Sequence, residues 1–407
     1  MGILPAPGPT RVLAVATLIN TVGRGIWLTA SALFLTRAVG LTVTEVGIGL
    51  TVTALVSLVA SSPMGYLADR YGPRGIQIAA TLAAAGFTAA LVTVRSLPAF
   101  LLVGAASALA DAANRGARGA LIAGVVPVAD RVRTRAYLRS VTNVGISVGA
   151  VVAGLGIAAD TRQAYVALVL ADATTFLLAA LVLTRLAPVP PVPAPTSGPR
   201  LLALRDRPFL VFTLLDGLMS MHFSLLNIAL PLWIAGHTAA PRWLISALML
   251  VNTAMVVMFQ VRASRGTESI TGAAAASRRA GVAIAAACAL FAVSGSVPTA
   301  VAIALLFAGA LAHVVGELWH SAAGWGISFG LAPEHAHGQY QGTYAMGMQV
   351  GSMLAPVVVT TLAVGWGLPG WLVLGVLFAT LGALVPPVSR WAERHRPVPT
   401  VEVAAAR

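Results

Sequence analysis

The chain has 407 residues, 58% hydrophobic and only 10% charged, with a net charge of +13 and a mean hydropathy of +0.86. A soluble protein carries about a quarter charged residues, so this composition excludes a soluble globular domain. The basic residues, all arginine, fall between long apolar runs rather than on one soluble face, so no nucleic-acid partner is expected.

In chain order, apolar runs between polar breaks predict membrane spans at 12–36, 46–68, 76–94, 98–124, 136–158, 163–186, 208–234, 243–262, 280–296, 298–328, 339–364 and 369–390. Nearly all are long enough to cross a hydrocarbon core of about 30 Å. The first run exceeds the apolar part of a cleavable leader, and no small-residue cleavage pattern accompanies it. Segment 187–207 holds Pro188, Pro190, Pro191, Pro193, Pro195 and Pro199 and ends in Arg200, Arg205 and Arg207. It cannot be helical throughout. The expected organisation is a six-helix half at 1–186, a Pro-rich linker at 187–207, a second six-helix half at 208–391 and a tail at 392–407. The fold class is therefore an all-α integral membrane protein.

With the N-terminus inside, 21 arginines lie on the inner side and four (Arg37, Arg95, Arg162 and Arg242) on the outer side, leaving Arg24 within the membrane. The positive-inside bias then predicts a multi-pass protein of the bacterial cytoplasmic membrane with both termini and the linker cytoplasmic. The halves also repeat. An offset of 206 aligns Asp111 with Glu317, Pro127 with Pro333, Asn143 with Gln349 and Gly145 with Gly351. An offset of 198 sets Arg24 on His222.

Between spans 2 and 3 the chain reads Gly65-Tyr66-Leu67-Ala68-Asp69-Arg70-Tyr71-Gly72-Pro73-Arg74. This resembles the signature loop of the major facilitator superfamily, with Gly65, Leu67, Asp69, Arg70, Gly72 and Arg74 at its defining positions. The resemblance implies twelve helices in two pseudo-symmetric six-helix halves. The substrate site would lie near mid-membrane between them, lined by helices 1, 4, 7 and 10. It also implies that Asp69 faces the N-terminal end of helix 11 near 338–340, and that Gly65, Asp69, Arg70, Gly72 and Arg74 latch the outward-facing state, the two arginines tying down acids or lipid headgroups. Within the family, the glycines of span 5 (Gly145, Gly149, Gly154 and Gly156) are similar to a helix-5 motif of twelve-helix drug/proton antiporters. Ala150 stands where that motif has proline. Arg115-Gly116-Ala117-Arg118-Gly119 loosely resembles an arginine motif of helix 4 linked to proton transfer.

An ionisable group at membrane depth needs a partner or a task. The proton-coupling candidates are Glu317, Asp111, Asp216, His313, His320, Arg115 and Arg118. His313, Glu317 and His320, spaced i, i+4, i+7, share a helical face. A carboxylate between two imidazoles suits reversible proton uptake, unless the three only bind neighbouring helices. Asp111 and Arg115, one turn apart, are positioned to pair, whereas Asp172 is expected to pack. The cavity candidates are Asn20, Arg24, Trp27, Met219, His222, Phe223, Trp319 and Gln349. Among these, Arg24 either attracts an anion or neutralises Asp111, Asp216 or Glu317. Methionine and aromatic walls adapt to varied ligands, although such residues also serve as core. Neither a metal site nor a cofactor is expected, and no nucleophile–base arrangement points to an enzyme.

The leading expectation is a proton-coupled exporter of small hydrophobic or amphipathic compounds, drugs or secondary metabolites, working by alternating access. The alternative is a transporter of polar or anionic metabolites with Arg24 as the substrate anchor. The partners are then a small molecule, protons and the lipid bilayer, and a monomer suffices.

Overall fold

The computed structural model describes residues 7–191, 193 and 200–395. Twelve helices are long and apolar enough to cross a membrane: α1 (Pro9–Ala38), α2 (Val43–Tyr71), α3 (Pro73–Thr93), α4 (Leu97–Val125), α5 (Val128–Ala158), α6 (Arg162–Leu183), α7 (Arg207–His237), α8 (Trp243–Ala263), α9 (Ile270–Ser296), α10 (Thr299–Gly330), α11 (Glu334–Gly365) and α12 (Leu368–Arg394). Most of the Pro-rich stretch, 192 and 194–199, lies outside the described residues, as do 396–407 of the expected tail.

The helix ends follow local chemistry. Thr42 and Glu45 form a capping box at the start of α2, the Thr42 hydroxyl accepting the Glu45 N–H at 3.2 Å. Gly72 ends α2 at a φ of 94°, where glycine is favoured, and Pro73 opens α3. Asp206 caps α7 by accepting the Phe209 N–H at 3.1 Å, and also accepts the Tyr340 hydroxyl at 2.6 Å. Before Pro231, α7 tightens at Ser220–His222 and widens at Leu225–Ala229. A proline clashes with the preceding turn, which accounts for a local change of pitch there.

The largest shifts of a span start from where hydropathy places it are at α5, Val128 rather than 136, and at α9, Ile270 rather than 280. Averaged hydropathy assigns charged residues to loops, yet Arg131 and Arg135 lie within α5, and Arg278 and Arg279 within α9.

Glycine seams bring helices together in each half. A Cβ on Gly149 of α5 would lie 2.0 Å from the Val22 carbonyl oxygen of α1, and one on Gly351 of α11 would lie 1.9 Å from that of Gly217 in α7. Only hydrogen fits, so the backbones touch. The same seam thus recurs in the two halves of this all-helical, pseudo-symmetric membrane fold.

The halves join at the arginine-rich end. Asp69 accepts the N–H groups of Gly338 at 2.6 Å and Gln339 at 2.9 Å, setting a carboxylate on the positive N-terminus of α11. Beside it the Thr343 hydroxyl donates to Ser62 at 3.0 Å. At the same end, Arg131 meets His337 at 3.4 Å and Arg135 donates to Gln341 at 3.2 Å. Both of these pairs are 206 apart in sequence, so α5 and α11 cross the pseudo-two-fold axis through equivalent residues. Among the described residues, hydrogen bonds between the halves run from this end to the middle and none lies at the other end.

The two loop arginines do not hold acids. Arg74 donates to the Thr184 carbonyl at 2.6 Å, satisfying the open end of α6, and Arg70 donates to Tyr66 of its own helix at 3.0 Å. No carboxylate is within ion-pair distance of either among the described residues.

Candidate substrate cavity

A cavity of about 300 Å³ lies between the halves. One wall carries five guanidinium groups: Arg24 from α1, Arg115 and Arg118 from α4, and Arg135 and Arg139 from α5. The facing wall carries Phe223, His320, Ser321, Trp325, Gln341, Tyr344, Ala345, Met348 and Gln349. An arginine at membrane depth costs about 2.5–3.5 kcal/mol on insertion scales, so five in one chamber need compensation.

Part of it comes from the protein. Arg139 donates to Glu317 of α10 at 2.6 Å, an ion pair that joins the halves, and Asn252 of α8 donates to the other oxygen of Glu317 at 3.0 Å. The Arg139 guanidinium also lies 5.0 Å from the centroid of Phe223. Arg115 donates to Ser57 of α2 at 2.5 Å, and Arg118 to Thr17 of α1 at 2.8 Å. The expected Asp111–Arg115 pair is not formed, because Arg115 reaches across to α2 instead.

Behind the second wall runs a buried chain of polar side chains. His222 Nδ1 meets His313 Nε2 at 3.2 Å, and His222 Nε2 meets His320 Nδ1 at 3.0 Å. His320 Nε2 is 3.2 Å from Asp216 Oδ1, and both this oxygen and the Tyr344 hydroxyl lie against Gly324 of α10. Three imidazoles are therefore linked by hydrogen bonds from the core of the second half to the cavity wall, where His320 stands in contact with a carboxylate, an arrangement able to hold a proton.

Glu317 does not sit between two imidazoles as its spacing suggested. At 100° per residue, His313 and His320 nearly coincide in projection, while Glu317 lies 40–60° away. The histidines accordingly turn to α7 and the glutamate to α5 and α8.

Of the sequence-derived cavity candidates, Arg24, Phe223 and Gln349 line the chamber and His222 stands one residue behind it. Asn20 opens instead on a pocket of about 30 Å³ inside the first half with Gln77, Thr81, Asn114 and Arg118. Trp27 packs in a crevice against Phe34 and Leu168, and Met219 is buried in the core of the second half. Trp319 faces away, its ring under Arg279 at 5.5 Å. Each of these three finds an apolar or cationic neighbour inside one half, which removes it from the boundary between them.

The family model described as Major Facilitator Superfamily matches residues 13–356. The chain belongs to the major facilitator superfamily. No curated protein sequence matches it. Solved structures of transporters from the superfamily share the fold. A bacterial homologue of the iron transporter ferroportin, in an outward-facing state, superposes with a TM-score of 0.71 at 13% identity, covering 95% of this chain and 99% of that one. The human organic anion transporter MFSD10 gives 0.64 at 18% identity, covering 92% and 98%. The E. coli fucose:proton symporter gives 0.67 at 12% identity, covering 94% and 98%.

As a superfamily member the chain is a membrane transporter rather than an enzyme. Two of its cavity arginines, Arg135 and Arg139, were not singled out from sequence. Their signal is the spacing Arg131, Arg135, Arg139, one residue per helical turn leading into span 5, which repeats one face of a helix rather than a loop.

Proposed function

We propose that the protein is a secondary transporter of small organic anions, working by alternating access of the cavity between its halves. The observation that carries this reading is the wall of five arginines in a chamber of about 300 Å³. A guanidinium is always charged and its donors match carboxylate and phosphate oxygens in pairs. A lipophilic cation entering this chamber would meet an excess of like charge, so the anionic alternative is favoured over the drug export that the antiporter resemblance implied. Phe223, Trp325 and Met348 give the solute an apolar surface on the other side, which suits an amphipathic anion.

Protons are the coupling ion in this reading. Glu317 holds Arg139 when ionised; protonation would release Arg139 toward the solute and free α5 from α10. The His320–Asp216 contact beside the cavity offers a second proton-holding group. Asp69 on the N-terminus of α11 latches the arginine-rich side closed. That side is cytoplasmic by the arginine bias, so the state described here faces outward. The Pro-rich segment serves as the cytoplasmic linker between two six-helix domains. One chain encloses the whole chamber, which makes a monomer sufficient.

The test is transport into proteoliposomes containing an internal pH dye, with a panel of aromatic carboxylates, phosphate monoesters, lipophilic cations and neutral compounds. Saturable anion flux with an accompanying pH change is expected, the pH change vanishing in Glu317→Gln but persisting in Asp111→Asn. Flux of cations without anions would refute the anionic reading. Anion flux with no pH change would remove the proton from it.

A further inference from the structure

Charge compensation is uneven along the arginine wall. Arg139 has Glu317. Asp111 lies within electrostatic reach of Arg115, and Asp172 within reach of Arg24. Among the described residues Arg118 and Arg135 have no such neighbour: no carboxylate lies within ion-pair distance of either, and each adds its positive charge to the other's surroundings. Their protein partners are a hydroxyl, Thr17, and an amide, Gln341. Arg135 Nε is buried with no hydrogen-bond partner. Its guanidinium is steadied over the Phe329 ring at 5.7 Å, so it is held rather than free to swing away.

We infer that Arg118 and Arg135 form the seat of the transported anion, and that the seat selects solutes presenting two negative charges, as a phosphate monoester or a dicarboxylate does. This deepens the anion-transport reading and rests on it. Two adjacent guanidinium groups in a chamber of reduced dielectric repel one another, and two opposed charges brought by a ligand remove that repulsion where one charge removes only part. The seat lies on α4 and α5 of the first half, while Gln341, on α11 of the second, touches Arg135. A dianion held there would therefore report to both halves. Arg24, the anchor in the alternative reading of the sequence, has Asp172 packed at its neighbour Gly23 and is secondary.

The experiment is titration calorimetry on the full chain in detergent with four probes of nearly constant size: benzamide, benzoate, phthalate and phenyl phosphate. Phthalate or phenyl phosphate should bind at least tenfold more tightly than benzoate, with benzamide weakest. Arg118→Gln and Arg135→Gln should each weaken the dianions at least tenfold and abolish their advantage over benzoate, while Arg118→Lys and Arg135→Lys keep part of it. Without ligand, the two Gln variants should unfold at a temperature no lower than wild type, because each removes an uncompensated charge; this separates loss of binding from loss of folding. Tighter phenyl phosphate would name a phosphate monoester solute, and tighter phthalate a dicarboxylate. A dianion preference that survives in both Gln variants, or is lost only in Arg24→Gln, would overturn the inference while leaving anion transport standing. Failure of wild type to bind any of the anions would overturn both.

Discussion

Neutralising Glu317 should loosen the closed side of the transporter. Removing one partner of a buried ion pair costs about 3–5 kcal/mol, because the other charge is left behind. Here the Arg139 side chain keeps 23% exposure and that of Glu317 8%, and Arg139 opens on the cavity, so solvent recovers part of the loss. Glu317→Gln still offers Asn252 an acceptor. About 2–3 kcal/mol is therefore expected, all of it taken from the interface between the halves. At 1.4 kcal/mol per factor of ten, the population open at the arginine-rich side rises about 30–150-fold. A cysteine placed at Ala345 on the cavity wall reports this, since the native Cys288 is buried. A membrane-impermeant maleimide supplied from the arginine-rich side should label it correspondingly faster in Glu317→Gln. The Arg139→Gln/Glu317→Gln double variant should recover more than half of the loss. Unchanged labelling in Glu317→Gln, or a double variant equal to the sum of the singles, would refute this account of the pair.

Asp69→Asn leaves one amide acceptor for two N–H groups and removes the charge from the α11 N-terminus, a loss of about 1–2 kcal/mol. Initial rates in proteoliposomes should fall about five- to thirtyfold with the half-saturating concentration within twofold; a large rise in that concentration would argue against a latch remote from the solute. Asp160, on the turn after α5, accepts the Tyr165 hydroxyl at 2.7 Å and pairs with Arg37 of α1. The Tyr165 hydroxyl, and then Arg37, hold its carboxyl below the ordinary aspartate value. A lowered folded pKa means that this tie is complete above about pH 4 and is lost as pH falls through the folded value. Asp160→Asn keeps a residue tolerant of the positive φ of 43°. It should flatten the dependence of unfolding temperature on pH between about 5 and 3, and an unchanged slope would contradict the assignment.

The twelve spans and their division into halves were readable because lipid imposes a long apolar run on every crossing. The contact of Asp69 with α11 was implied by the resemblance of its loop to the superfamily signature. The offset of 206 marked Gly145 and Gly351, which prove to be equivalent seam positions. The cavity was less legible. Hydropathy reads an arginine at a span boundary as loop, so Arg135 was left outside span 5, and both it and Arg139, just inside that span, were counted toward orientation although they line the chamber. The spacing of His313 and His320 correctly grouped them, but which neighbouring helix Glu317 meets depends on a rotation of 40–60° that sequence periodicity does not resolve. Trp27, Met219 and Trp319 show the same limit from the apolar side: a large residue in a span fits core, lipid or cavity equally well until its neighbours are known.

The contacts of Arg131 with His337 and of Arg135 with Gln341 bear on how such a molecule can be assembled. In a symmetric dimer of two identical half-length chains, a residue on the dyad meets its own copy. Each of these positions would then set one guanidinium against another, twice over, at the point where the two bodies must come together. Joining the halves in one polypeptide releases that constraint, because the two copies of a position no longer need to be the same amino acid. Histidine and glutamine at 337 and 341 turn two self-repulsions into two hydrogen bonds. Splitting the chain into two identical units would therefore restore both repulsions at the point where the units meet.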